Sequence, residues 1–535
     1  MASHLQLPHR AAADGSQGRR STRDPKGTTH ARRWRILAVL SLSLLLTGLD
    51  NTVLNVALPT LQAHFDATGS TLQWIVDGYL LAFAGVLLTM GTLGDRFGRK
   101  RILQSGLLVF GASSVLAALA TEASQLIVLR AAMGVGGAMI MPATLSIIVD
   151  VFPREERGRA IGIWAAVAGV GIGLGPFVGG LLLEWFSWSS VFWLNVPLVV
   201  LALVAGMRLI PESRDPHPGR FDLVGAGLSV AALVAFVYAI IEATPRGWSD
   251  PVVLGGFAVA LVLGGAFVAW ERRVAAPMLP LEFFRERAFT VASGGVALVF
   301  FALMGSIFGY TQFLQLVHGL SALEAGVAML PLAAGLVLGS GASNALASRF
   351  GARRVIAGGL AGMAAVLSTS LLWTPGMAPV LLGLVTFGMA LSMGTAMAPA
   401  TDSVMGAVPE SRAGVGSAMS DVTRQVGGAL GVAVIGSLVG TAYTNAMDHV
   451  GGPAAASIGQ AAGAAQALGG ARGAAVADEA GKAFTDALGL GLTVAAVVAF
   501  AGALLVFLRL PDEGRRQARP VPPALPLPAP APAAG

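Results

Sequence analysis

The chain has no cysteine among its 535 residues. That excludes disulfides, thiolate metal sites and a thiol nucleophile. Charge is scarce as well. Asp, Glu, Lys and Arg make up 12% of the residues, about half of what soluble domains carry. No G-x-x-x-x-G-K-[ST] run is present, so nothing points to a bound nucleotide as the energy source. The polar, basic first thirty residues lack the apolar centre of a signal peptide, and Arg19–Arg20 is not followed by a short apolar run and a cleavage site. His, Asp and Glu form no metal cluster within the apolar stretches, and no nucleophile lies beside a base. Neither an enzyme nor a cofactor or metal is expected.

What remains is apolar: 55% of the residues are hydrophobic. Fourteen windows are long enough to cross a bilayer as helices, the first at 36–58 and the last at 486–508. With the N-terminus placed in the cytoplasm, thirty of the 35 Lys and Arg residues fall in cytoplasmic loops and tails. Three (Arg246, Arg472, Lys482) fall on the other side, and Arg130 and Arg424 fall within spans. This bias sets the orientation, with both termini cytoplasmic, and it accounts for the formal charge of +6 without a nucleic-acid partner.

A repeat organises the spans. GTLGDRFGRKRIL, Gly91–Leu103, follows the second span, and SRFGARR, beginning at Ser348, follows the tenth. A proline-led pair, Pro153–Gly162 and Pro409–Gly416, repeats at the same offset of eight spans. The expected fold is therefore an all-α integral membrane protein of two six-helix bundles, with two helices inserted between them and a site near the midplane of their interface. The expected divisions are a basic tail over 1–34, a first bundle over 35–209, the inserted pair over 210–287, a second bundle over 288–510 and a Pro/Ala-rich tail over 511–535. Within the second bundle, 440–485 reads as a long, loosely ordered outer loop rich in Ala and Gly.

Besides groups at the rims, five ionisable residues lie inside spans: Asp50, Asp77, Arg130, Asp421 and Arg424. Each costs roughly 2.5–3.5 kcal/mol at mid-bilayer, so each needs a partner, a cavity or a task. Asp50 reads as an acid that binds and releases a proton, or as one hydrogen-bonded to Asn51, Asn55 or another helix. Asp77 lies near Trp74, Tyr79 and Phe83. An acid beside aromatic faces suits an organic cation; the other reading is a rim acid reached by water. Arg130 either partners a buried acid or snorkels to the interface. Asp421 and Arg424, three apart on one helical face, read as a mutually neutralising pair. In GVGIGLGPFVGG, the residues Gly171, Gly175, Pro176, Gly179 and Gly180 permit close helix packing and a bending point between the bundles. In the turn after the second span, Gly91 and Gly98 allow close approach, and Asp95 can cap a helix or pair with Arg96 or Arg99.

Taken together, Arg35–Leu510 resembles the major facilitator superfamily, and within it the 14-helix drug:proton antiporters. GTLGDRFGRKRIL matches that superfamily's signature loop, which implies that Asp95, Arg96 and Arg99 form a charge lock holding one access state. LDNTVLNVALP resembles the first-helix motif, implying that Asp50 couples protons. LIVLRAAMGVGGA is similar to the fourth-helix motif carrying Arg130, although Met133 stands where glutamine is usual. GIGLGPFVGG resembles the antiporter motif and implies export. WIVDGYLLAFA resembles the antiseptic and dye exporters, implying that Asp77 helps bind cationic drugs. The resemblance implies a plasma-membrane antiporter, working as a monomer, that exchanges lipophilic cationic compounds for protons. Its rivals are a dedicated exporter of one metabolite or antibiotic, a proton-coupled importer and a membrane enzyme or sensor.

Overall fold

The computed structural model describes residues 25–214, 222–274, 277, 279, 281–408 and 413–511. The two tail ends, parts of the linkers before and after the inserted pair and the first four residues of the Pro409–Gly416 repeat lie outside the described residues. The first half contains α1 (Pro25–Phe65), α2 (Gly69–Phe97), α3 (Arg99–Ala118), α4 (Ala123–Val151), α5 (Arg154–Trp185), α6 (Ser190–Trp193) and α7 (Asn195–Leu209). The inserted pair is α8 (Leu223–Arg246) and α9 (Pro251–Glu271). Then follow α10 (Arg287–Gln312), α11 (Ala322–Ala328), α12 (Leu330–Phe350), α13 (Ala352–Ser368), α14 (Pro379–Gly406), α15 (Ala413–Met447), α16 (Gly452–Ala456), α17 (Ile458–Leu468) and α18 (Gly470–Arg509). No strand occurs among the described residues. Among the described residues, fourteen helical stretches are long and apolar enough to span a membrane; α6–α7 and α11–α12 each act as one broken span, and a π-turn over Phe313–Val317 ends the span begun by α10.

Local chemistry sets the helix ends. Thr68 accepts from the Thr71 amide to start α2, Asp250 with Pro251 starts α9, and Ser321 with Glu324 forms a reciprocal capping box at α11. Each supplies an acceptor to amides that the first helical turn leaves unpaired.

In the first half, α1 packs on α5, and α4 on α2 and α3; in the second, α12 packs on α14, α10 on α15, and α13 on α14 and α18. The halves meet where α2 packs on α15 and where α5 packs on α11 and α12. The inserted α8 lies against both α2 and α15 and carries α9 on its other side. On α9 only Val253, Ala260 and Glu271 are buried, which suits a helix whose apolar surface faces lipid.

The stretch 440–485 is helical rather than loosely ordered. α15 continues to Met447, α16 and α17 follow, and α18 begins at Gly470, well before its apolar core. Alanine is the strongest helix former. Four of the glycines form the corners, where Gly451, Gly452, Gly469 and Gly470 take φ of 68°, 62°, 60° and 55°; Gly459 and Gly473 lie within the runs, against the Gln62 side chain and the Ala465 carbonyl. Gln62 on α1 donates to Ser457 at 2.8 Å, which ties this segment to the first half.

Candidate functional site

Asp50, on α1, is 1% exposed, and so is Arg130, on α4. Arg130 Nη1 donates to Asp50 Oδ2 at 2.5 Å. Arg130 Nε donates to the Ile75 carbonyl on α2 at 3.3 Å, and the guanidinium lies 4.4 Å from the Tyr79 ring centroid. Asp50 Oδ1 accepts from Asn195 Nδ2 at 3.0 Å. The same nitrogen donates to Ser114 Oγ at 3.0 Å, and Ser114 donates to the Phe192 carbonyl at 2.8 Å. Six helices of the first half, α1 to α4, α6 and α7, thus join one network around the Asp50 carboxylate. Arg130 does not reach an interface. Asn51 and Asn55 are not the partners of Asp50, since the Asn55 amide donates to the Asn51 and Thr52 carbonyls. The pair is electrically neutral as a unit, which makes two buried charges tolerable away from water.

Asp77 differs. It is 0% exposed, so it is not a rim acid, and neither carboxylate oxygen has a hydrogen-bond partner. Its neighbours one turn away locate it. A Cβ added at Gly436 of α15 would run into the Gln73 amide, and Trp74 packs on Tyr238 of α8 with centroids 6.1 Å apart. One turn further along α2, the Leu80 side chain lies beside Gly428 of α15. Residues three and four apart share a helix face, so Asp77 faces the junction of α2, α15 and the inserted α8. The four residues expected to act together divide into two groups. Tyr79 and Phe83 lie on the α4 side, where both rings press against Gly137; Asp77 and Trp74 lie on the side of the inserted helix.

The glycines of α5 also divide. Gly171, Gly175 and Gly179 face α1: a Cβ at Gly171 would sit 3.1 Å from the Leu45 carbonyl oxygen, and one at Gly179 2.8 Å from that of Val53. Thr52 completes this contact by donating to the Ile172 carbonyl at 2.9 Å. Gly173 and Gly180 face the other half, against Ala333 of α12 and the Ala322–Leu323 backbone of α11. Pro176 lies between the two stripes, and its carbonyl abuts Gly326 of α11. One helix is therefore fastened to its own half and pressed against the opposite one.

In the α2–α3 turn, Asp95 and Arg99 form an ion pair at 3.0 Å, and Arg96 lies over the Phe97 ring. The turn grips the end of α7 and the segment that follows it. Lys100 donates to the Met207 carbonyl at 2.8 Å, the Arg99 amide donates to the Ser213 carbonyl at 3.0 Å, and Arg101 lies 3.5 Å from Glu212. Gly98 has φ of 117°, and a Cβ there would meet the Glu212 carboxyl, 2.8 Å from its Cδ. Gly98→Ala is therefore expected to lower stability by about 1–2 kcal/mol, seen as an earlier thermal unfolding transition in detergent. Gly94, inside α2 with open space around it, should tolerate alanine without loss. Gly91, with only Pro142 nearby at 3.6 Å, makes an ordinary contact.

Asp421 and Arg424 on α15 are 3.0 Å apart, and Arg424 also donates to Thr401 of α14 at 3.1 Å. Away from the basic turn, at the opposite end of the molecule, a cavity of about 520 Å³ lies between the halves. Pro59, Thr60, Glu184, Gln315 and Ser321 are among its lining residues, and Gln315 closes part of it by donating to the Val56 carbonyl at 2.8 Å.

Sequence reading overlooked Asn195, Ser114, Thr401 and Glu212. Asn195 left a trace, as the one side-chain amide in an otherwise apolar span. The others are ordinary polar residues that become informative only through what they touch.

A sequence profile described as Major Facilitator Superfamily matches residues 40–432. The multidrug efflux pump LfrA of Mycolicibacterium smegmatis is 38% identical, over 89% of this chain and 96% of that protein. The tetracenomycin C resistance and export protein of Streptomyces glaucescens is 33% identical, over 93% and 97%. The methyl viologen resistance protein SmvA of Salmonella typhimurium is 34% identical, over 85% and 93%. Among solved structures, an inward-facing, unoccupied bacterial homolog of the human lysosomal transporter Spinster superposes with a TM-score of 0.61 at 21% identity, covering 91% of this chain and 97% of that one.

Proposed function

Because this chain belongs to the major facilitator superfamily, we propose that it is a proton-coupled antiporter that expels lipophilic organic cations across the plasma membrane. The observation that carries this reading is the contrast between its two buried acids. Asp50 is held by a cation of the protein itself. Asp77 is buried with no hydrogen-bond partner, beside the Trp74–Tyr238 aromatic pair, a setting that favours a cation brought in by the substrate. In this reading the basic turn faces the cytoplasm and the 520 Å³ cavity faces outward. Protonation of Asp50 removes the charge that holds Arg130, so the protonated and deprotonated protein prefer different arrangements of the halves. Substrate and proton couple because each binds one arrangement better than the other. Asp95 and Arg99 hold the cytoplasmic turn in one of them.

The test is proton release from energised inverted vesicles on addition of methyl viologen, ethidium or uncharged lipophilic compounds. Organic cations should collapse the gradient. Asp77→Asn should weaken the apparent affinity for cations by roughly thirtyfold or more and leave uncharged compounds little changed. An equal loss for both would make Asp77 a structural acid. Several relatives are named for single antibiotics, and this supports a second reading, a dedicated exporter. A resistance profile confined to one compound would favour it.

A further inference from the structure

Asn195 is buried, with 0% exposure, and it uses only half of its amide. Both Nδ2 hydrogens are spent, one on Asp50 Oδ1 and one on Ser114 Oγ. Its Oδ1 is buried with no hydrogen-bond partner. Leaving a buried acceptor empty is costly, and that cost fits a group needed in a second state. Once Asp50 takes up a proton on Oδ1, that oxygen becomes a donor and faces the two donors of Asn195. Turning the amide half a revolution about its last side-chain bond brings Oδ1 to the protonated acid. The Ser114 hydroxyl, which rotates freely, can then turn its hydrogen from the Phe192 carbonyl to the same acceptor. The turn moves no backbone atom; it carries Nδ2 to the place Oδ1 leaves, and the Phe192 carbonyl gives up its donor.

We propose that Asn195 is the positioning residue that reads the protonation of Asp50: its amide donates to the carboxylate, flips, and accepts from the carboxylic acid. The proton comes from the aqueous phase, and no covalent bond other than the O–H of Asp50 is made. Arg130 no longer faces a charge at Oδ2 and keeps the Ile75 carbonyl and the Tyr79 ring. Asn195 is well placed to pass the change on, since it is the first residue of α7, directly after the break at Leu194. The ionisable groups facing Asp50 are Arg130 from α4 and the Tyr79 phenol from α2. In sequence, α5 carries none between Arg159 and Glu184, and α10 none between Arg287 and Tyr310. The inference rests on Asp50 as the proton carrier.

Infrared difference spectra between acid and neutral pH test it on the full-length protein in lipid, unlabelled and with ¹⁵N-asparagine. A carboxyl band that vanishes in Asp50→Asn should titrate together with an asparagine side-chain band, and Asn195→Leu should abolish the latter. Exchange by Asn195→Leu should fall about 10- to 100-fold at saturating substrate, with half-saturation unchanged and a displaced pH profile, and Asn195→Gln should recover part of the rate. The inference is overturned by an asparagine band that stays still while Asp50 titrates, or by a wild-type pH profile in Asn195→Leu. A carboxyl band that survives in Asp50→Asn overturns the proton-carrier reading itself. The labelled wild-type spectra decide the matter even where Asn195→Leu does not fold.

Discussion

Asp50→Asn is expected to abolish substrate-driven proton release in inverted vesicles and to lower stability at the same time. The side chain keeps its shape, so packing around α1 is retained. What disappears is the negative charge 2.5 Å from Arg130. An uncompensated guanidinium with 1% exposure costs about 3–5 kcal/mol relative to the intact pair, so the thermal transition in detergent should come markedly earlier. The two effects can be separated. In Asp50→Asn with Arg130→Gln, no charge is left unpaired, and stability should return towards wild type because the coupling energy of a contacting pair is removed as a unit. Proton release should stay absent, since no titratable carboxyl has been restored. Proton release by the double variant at the wild-type rate would show that the proton travels elsewhere, with Asp77 and Asp421 the next acids to replace.

Gly180→Ala is expected to block exchange by a different route. Its Cβ would overlap the Ala322 carbonyl oxygen and lie 3.0 Å from Leu323 Cα. Both obstacles are backbone, so no side chain can swing aside, and they belong to the opposite half. The relief available is separation of α5 from α11, which opens the end of the molecule that bears the 520 Å³ cavity. Val56→Cys, buried on α1 at 0% exposure, reports this without background labelling because the chain has no other cysteine. Its reaction with a membrane-impermeant maleimide added from outside should accelerate about tenfold or more, as expected where one equilibrium is shifted by about 1.4 kcal/mol. Gly175→Ala is the contrast. Its Cβ would meet Thr52 and, at 3.0 Å, the Val53 amide nitrogen, all within the first half. It should cost stability without raising the Val56→Cys rate. Equal labelling rates in Gly180→Ala and wild type would remove α5 from the hinge.

How much of this was legible beforehand depends on the range over which each feature acts. Hydropathy and charge are properties of short stretches, and the bilayer reads them locally. The fourteen spans and the five intramembrane charges therefore stood in the sequence as written. Asp421 and Arg424, three residues apart, could be paired on paper because a helix fixes that spacing. The stretch 440–485 misled because high glycine content obscured the alanine that makes it helical; four of its glycines form the corners, while Gly459 and Gly473 sit inside the runs where neighbours come close.

The sequence by itself determined an all-helical membrane protein and the count of its spans, because burial of apolar surface is non-directional and needs only composition and length. The tertiary structure decided the partners. Asp50 meets Arg130 and Asn195, 80 and 145 residues away. Asp77 meets no hydrogen-bond partner and faces an inserted helix, while Tyr79, two residues on, faces α4. The glycines of α5 serve two different neighbours. Apolar helices carry little record of which helix lies beside them, since any of fourteen would bury the same area. The choice is made by close packing between small residues and by directional hydrogen bonds, and these exist only once the helices are assembled.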